Sequence, residues 1–261
     1  MTEMAWHIFI PDSLLEETSD PKIKTYKVGQ IGRAAAIFGV EHIWIYKAGG
    51  REGKFIKLVL EYMETPQYLR KTLIPLTKEL KYAGILPPLR TPHHKLKREP
   101  KVGEIREGVI IKKGKRLYAD IGLDELALVE GSGEGRMTFE IISVIPLKVA
   151  PTKPREYWGY RVHLTRMSLA KTLKKAKLNL AIATSRMGED VRKVNLPPLE
   201  GEVGFVFGSP RKGIMEILRD FNEDYPFDLI LNTIPNQKTK TVRTEEAVLV
   251  TLAIFNVIRR D

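Results

Sequence analysis

The sequence predicts an α/β protein: a mostly parallel sheet with helices on both faces, interrupted by a small all-β barrel of the oligonucleotide-binding type. Two observations carry that reading. Short apolar runs at both ends of the chain alternate with segments whose apolar residues recur at helical spacing, the pattern of a parallel sheet covered on both sides. Between them lies a region rich in β-branched residues, punctuated by glycine and without helical period, as a barrel of short strands requires. The expected organisation is an N-terminal α/β part over 1–90, an inserted barrel over 91–163 and a C-terminal α/β part over 164–261.

In chain order, WHIFI (6–10) is the first strand. Ile23, Tyr26, Ile31, Ala34, Ala35 and Phe38 then recur at roughly helical spacing and predict a helix that Gly39 stops. HIWIY (42–46) is the next strand. KFIKLVLEYM and the segment opened by Thr65-Pro66, with proline at the first helical position, predict two further helices. Residues 85–101 carry four prolines and many basic side chains, Lys95, Lys97, Arg98 and Lys101 among them, and read as a solvated linker holding His93 and His94.

In the middle region KKGKR (112–116) is a hairpin turn between GVII and LYADIG. EGSGEG (130–135) reads as a second hairpin. A nucleotide-binding glycine turn would have to open a helix, and the β-branched MTFEIISVIP that follows is not one. From residue 164 the α/β rhythm returns, with a helix capped by Ser168, strands LNLAIAT and EVGFVFG, a helix through GIMEILRDF, strand FDLILN and a terminal helix from about Thr244.

Composition narrows the partners. The chain has 43 basic and 32 acidic residues, a net charge of +11, which favours a polyanion because each neutralised phosphate releases counterions. The absence of cysteine excludes disulfides, thiolate metal sites and a cysteine nucleophile, and the five histidines show no metal-ligand spacing, so no metal is expected. The longest apolar stretch, Ala247 to Ile258, is interrupted by Thr251 and Asn256 and is too short to span a bilayer. The opening MTEMAWHIFIPDS has no basic leader or long apolar core, so the expected location is cytoplasmic, away from membranes.

Three loops follow strands, where open α/β sheets place ligands: ATSRMGED (183–190), FGSPRKG (207–213) and LNTIPNQKTKTVRTEEA (231–247). The first has the composition of an ordinary connection. The third is longer than a compact domain tolerates unless the loop has a task. In the barrel, Lys112, Lys113, Lys115 and Arg116 lie near Tyr118, a grouping that suits phosphate attraction plus base stacking and equally suits a solvated hairpin; Arg106 belongs to the same basic set. Lys171, Lys174, Lys175 and Lys177 add a second basic face to the α/β body.

Three segments make the chain recognisable: VGQIGRAAAIFGVEHIWI (28–45), VFGSPRKG (206–213) and NTIPNQKTKTVRTEEAV (232–248). In order and spacing they resemble the three signature motifs of SPOUT RNA methyltransferases. The match is to the archaeal and eukaryotic family with an inserted barrel, whose members include N3-uridine methyltransferases of ribosomal RNA. It covers nearly the whole chain, and the third motif is the most specific.

The resemblance implies a trefoil knot, an architecture otherwise nearly absent from proteins. It implies a bent S-adenosylmethionine held by Thr184 and Ser185 of the first loop and by Gly208, Ser209, Pro210 and Gly213 of the second. Asn232, Ile234, Pro235, Val242, Thr244 and Ala247 of the third loop complete that site. Gly208, lacking a Cβ, permits close backbone approach to the ligand.

It further implies a homodimer and an RNA substrate, ribosomal RNA, contacted by Arg33 and Lys27. Arg33 and Arg243 are candidates for a cation that stabilises developing negative charge, and Glu245 or Glu246 for the base that removes a uridine imide proton. Lys27 and Arg243 stand where ribose-methylating members have asparagine, which favours methylation of the base over the ribose 2′-oxygen. A non-catalytic RNA-binding or ribosome-assembly factor of the same fold is the second reading.

Overall fold

The structure, a computed structural model, describes residues 4–96 and 98–258; Lys97 of the expected linker lies outside them. Strand β1 (Ala5–Pro11) leads through α1 (Pro21–Ile37) to β2 (Val40–Tyr46) and α2 (Gly53–Glu64). The short α3 (Arg70–Leu73) precedes β3 (Ile105–Lys113), β4 (Arg116–Asp120), β5 (Ala127–Val129), β6 (Arg136–Val144) and β7 (Leu147–Pro151). The remainder is β8 (Arg161–Leu164), α4 (Leu169–Ala176), β9 (Leu180–Asp190), β10 (Glu202–Val206), α5 (Ile214–Asp220), β11 (Leu229–Asn232) and α6 (Thr244–Ile258).

The chain divides into two compact units, one of residues up to 63, 79–88 and from 160 onward, the other of 64–78 and 89–159. Relative to the expected boundaries, residues 64–78 and 89–90 move into the barrel unit and 160–163 move out of it. Residues 161–164 look like one more barrel strand by composition. They become β8 of the parallel sheet because they pair with β2, in the register His42 to Arg161 through Ile45 to Leu164.

The α/β unit is a six-stranded sheet in the order β11-β9-β10-β1-β2-β8, parallel at every pairing. Strand β1 is buried at every position, as a central strand covered on both faces must be. Asp20 caps α1 by accepting from the Lys22 amide at 2.7 Å, Pro21 opens the helix, and Gly39 ends it at a φ of 69° that other residues resist. Helix α6 packs on α1, and its Phe255 meets Phe205 of β10 with ring centroids 4.7 Å apart.

The barrel unit closes β3-β4-β5-β7-β6, with β5 and β7 parallel and the other pairs antiparallel. This is the strand order of an oligonucleotide-binding barrel. KKGKR forms the expected turn, Lys113 opposite Arg116 with Gly114 at a φ of 61°. EGSGEG is not a hairpin: β5 pairs with β4 and β7, so the segment crosses to a strand that is not its neighbour.

The helix expected from Pro66 is reduced to a 3₁₀ turn over Gln67–Leu69 and the single turn of α3. His93 and His94 do not lie in solvated chain either, since each donates from Nε2 to the Glu64 carbonyl at 2.8 Å and His93 is fully buried. Arg106 is likewise enclosed, donating to the Ile121 and Leu96 carbonyls at 3.0 and 2.8 Å, and is no part of a basic surface.

Candidate active-site cleft

The three loops named by the sequence leave the C-terminal ends of β9, β10 and β11 together. The first is less a loop than a bulge within β9: its register against β11 jumps from Ala183 opposite Ile230 to Glu189 opposite Leu231, which pushes the intervening residues out of the ladder. Thr184 ties the bulge to β10 by donating from Oγ1 to the Val206 carbonyl at 2.8 Å.

The second loop folds on itself, with the Ser209 amide donating to the Lys212 carbonyl at 2.9 Å and the Lys212 amide to Ser209 Oγ at 3.0 Å. A Cβ at Gly208 would lie 2.9 Å from the Lys212 carbonyl oxygen. Gly208 is therefore required by the tightness of its own loop, a different reason from close approach to a ligand. Below it Tyr46 donates its hydroxyl to the Phe207 carbonyl at 2.7 Å, and complete burial pushes that phenol far above its usual range.

The third loop is stitched to the other two. Asn232 accepts from the Ile234 amide at 3.0 Å and donates to the Arg186 carbonyl at 3.1 Å, while Arg186 Nη1 donates to the Lys240 carbonyl at 3.0 Å. Thr244, at the start of α6, donates to the Gly208 carbonyl at 2.9 Å. The loops thus enclose a cleft of about 480 Å³, within the range of small-molecule sites.

Every cofactor residue read from the sequence lines this cleft except Pro235. Phe207, Ile214 and Met215 add apolar wall that the sequence reading did not single out, and Arg186 and Gln237 add polar groups. These five lie in or beside the quoted loops, but nothing in the local sequence says which side chains turn inward.

Two expected roles are overturned. Lys27 is not an RNA contact, because it is only 3% exposed and its ammonium lies between the carboxylates of Glu17 and Glu245, 3.3 Å from the latter. Glu245 is consequently no free base. It is buried against Lys27 where α6 packs on α1, and it does not line the cleft. Glu246 instead accepts from the Arg243 amide at 2.9 Å and caps α6.

Arg33 is half-buried on α1, donates from Nη1 to the Pro88 carbonyl at 3.0 Å and does not line this chain's own cleft. Arg243 is exposed between Val242 and Thr244, both cleft residues, and its side chain makes no ion pair among the described residues. In the barrel unit Lys112, Lys113, Lys115 and Arg116 are exposed, and Lys113 Nζ lies 5.8 Å from the centroid of the half-buried Tyr118 ring. Among the described residues no cluster of three or more His, Cys, Asp or Glu could hold a metal, and no helix is long and apolar enough to cross a membrane.

A family model described as "Putative RNA methyltransferase" matches residues 5–255. The chain belongs to this RNA methyltransferase family. The methyltransferase is 30% identical over 292 residues to the Homo sapiens 28S rRNA (uridine-N(3))-methyltransferase, an alignment covering 94% of this chain and 76% of the relative. It is 33% identical over 279 residues to an uncharacterized protein of Halobacterium salinarum, covering 95% and 98%. A solved structure described as a putative RNA methyltransferase of the TrmH family from Porphyromonas gingivalis aligns with a TM-score of 0.43 at 12% identity, over 97% of this chain; this chain spans 60% of that structure's length.

Proposed function

We propose that this methyltransferase transfers a methyl group from S-adenosylmethionine to N3 of a uridine in large-subunit ribosomal RNA, as a cytoplasmic homodimer. The observation that carries the reading is the cleft: the second and third loops, which match two of the SPOUT motifs, are hydrogen-bonded with the β9 bulge into one wall of suitable volume. The residues suit the cofactor, with Phe207, Ile214, Ile234 and Val242 offering apolar contact to an adenine ring and the hydroxyls of Ser185 and Ser209 offering polar contact. When bound, the cofactor supplies an electrophilic methyl group. A chain that returns from β11 through these loops to α6 is also the path on which the resemblance places a trefoil knot.

The protein's own task is to hold the uracil and ease the loss of its imide proton. With Glu245 paired to Lys27 and Glu246 capping α6, a cation takes precedence over a carboxylate base. Arg243, exposed between the cleft residues Val242 and Thr244, is our candidate for stabilising negative charge on the uracil oxygens as N3 gives up its proton.

Two features support the dimer. Helix α1 exposes Ile23, Tyr26 and Ile37, and α6, packed beside it, exposes Leu249 and Val257, an apolar face of the kind a two-fold interface covers. Arg33 lies on the same side of α1 as Tyr26 and Ile37, so pairing through that face would bring it up to the partner subunit.

Calorimetric titration with S-adenosylmethionine tests the cofactor reading, using the wild type and a Gly208→Trp variant whose side chain the loop cannot accommodate. Saturable binding by the wild type, lost in the variant, is expected. N3-methyluridine in RNA treated with the wild type then completes the case. A folded wild type that binds no cofactor would return the protein to the class of non-catalytic RNA-binding factors.

A further inference from the structure

Strand β8 ends the sheet opposite the cleft, three strand positions from β10, or about 15 Å at the usual interstrand spacing. Three elements surround it. Helix α2 starts against it, since a Cβ added to Gly53 would lie 2.8 Å from Leu164 Cδ1. Helix α4 is joined to its end by the 2.9 Å bond between the Thr165 and Thr172 hydroxyls, and the β2 loop by the Lys47 amide donating to the Met167 carbonyl at 2.9 Å.

These elements carry Arg51, Lys57, Arg161, Arg166, Lys171 and Lys175. Among the described residues only Lys57 of this set has a carboxylate partner, Glu61 at 3.2 Å. Lys171 and Lys175 are one helical turn apart and share a face of α4. Two nearby acids have partners outside this set: Glu52 pairs with Lys24 at 2.5 Å, and Glu223, beside the start of α4, accepts from the Ala170 amide at 3.0 Å.

A second observation locates the focus of this charge. Behind the edge His42 Nδ1 lies 2.9 Å from His163 Nε2, and the His163 ring stacks on Trp44 at 4.0 Å. Both imidazoles are held down to about 4, by burial first and then by like charge: His7, His163 and Arg161 act on His42, and His7, Arg161, Lys175 and Lys57 on His163. Lys57 of α2, Arg161 of β8 and Lys175 of α4 therefore all bear on His163. Protection of an open sheet edge explains cations on the strand itself, but not those on both flanking helices.

We propose that the β8 edge is a second RNA surface, gripping the phosphodiester backbone of RNA that flanks the target nucleotide while the cleft handles the base. The inference rests on the RNA methyltransferase reading and adds to it a sequence-independent anchor on the α/β unit, separate from the barrel hairpin. Unpaired guanidinium and ammonium groups suit phosphate, and such contacts set position rather than sequence preference.

The test is a quadruple variant, Arg161→Ala, Arg166→Ala, Lys171→Ala and Lys175→Ala, all at exposed positions. Its binding to a labelled polyuridylate oligonucleotide is followed by fluorescence anisotropy over a salt series, with S-adenosylmethionine calorimetry alongside. Expected are a Kd at least about tenfold weaker and a salt slope smaller by about 3, on the scale of about 0.7 per single-strand phosphate contact, with cofactor binding unchanged. An unchanged Kd and salt slope would overturn the proposal. So would a polyglutamate peptide that binds the wild type as tightly as RNA and loses binding in the variant, since that marks a protein-docking surface. If the wild type binds no cofactor yet loses RNA in the variant, the methyl-transfer reading fails and this surface stands. If methylation is intact and RNA affinity is unmoved, the surface alone fails.

Discussion

In the barrel unit Arg136 is clamped between Glu64 and Glu107 at 2.6 and 2.8 Å and Arg106 is sealed behind carbonyls, whereas in the α/β unit Arg161, Arg166 and Arg243 stand exposed without an ion pair among the described residues. The barrel's charges hold parts of the chain together. Burial pushes the Glu64 carboxyl up, but its bonds to His93 and Arg136 outweigh that and hold it below the usual range. The Trp158 indole donates to Glu107 at 2.6 Å, so the network also ties the last stretch of the unit to its first. A small barrel with little apolar volume relies on such a network, while a protein that must bind a polyanion leaves cations in water, where they cost little to hold and remain available.

The largest expected effect follows from that contrast. Arg136→Ala leaves Glu64 and Glu107 facing each other without their cation, and urea denaturation should show a loss of about 3–5 kcal/mol. A loss below about 1 kcal/mol would erase the distinction between the two units. Arg243→Ala should do the reverse, lowering the methylation rate about 100-fold with melting temperature unchanged, the scale of one lost charge-stabilising donor. Equal loss of stability and rate would make Arg243 a structural residue.

Tyr118→Ala comes next. Stacking on this ring is worth about 1–3 kcal/mol per base, so RNA affinity should fall by roughly tenfold, with cofactor affinity unmoved. The smallest effect is in pH. The folded state holds His42 and His163 at about 4, below the 6.5 of the unfolded chain, so as pH falls from 6.5 toward 4 the unfolded form takes up protons first and stability declines. Above pH 6.5 these residues contribute no slope. Melting temperatures across that window should fall less steeply for a His42→Phe variant; identical profiles would show that acid sensitivity arises elsewhere.

Much of the fold was legible because it is written in local patterns. The apolar runs of β1, β2 and β10, the Asp20-Pro21 start and Gly39 stop of α1, and the KKGKR turn each follow from neighbours in sequence. The cleft residues were legible through motif resemblance, and all but Pro235 converge as that implied. What failed did so for one reason. Lys27 looks like a surface lysine until Glu17 and Glu245 enclose it, and His93, Arg106 and β8 likewise take their environment from distant partners.

By itself the sequence determined the elements and their order, the glycine and proline punctuation, the net positive charge and the loops that carry the site, because periodicity and turn chemistry act over a few residues. Only the tertiary structure decided which cations are buried and which stay exposed, which short strand joins the sheet, and that Glu245 is held by Lys27. Those outcomes depend on desolvation and long-range pairing, which exist only once distant segments have packed.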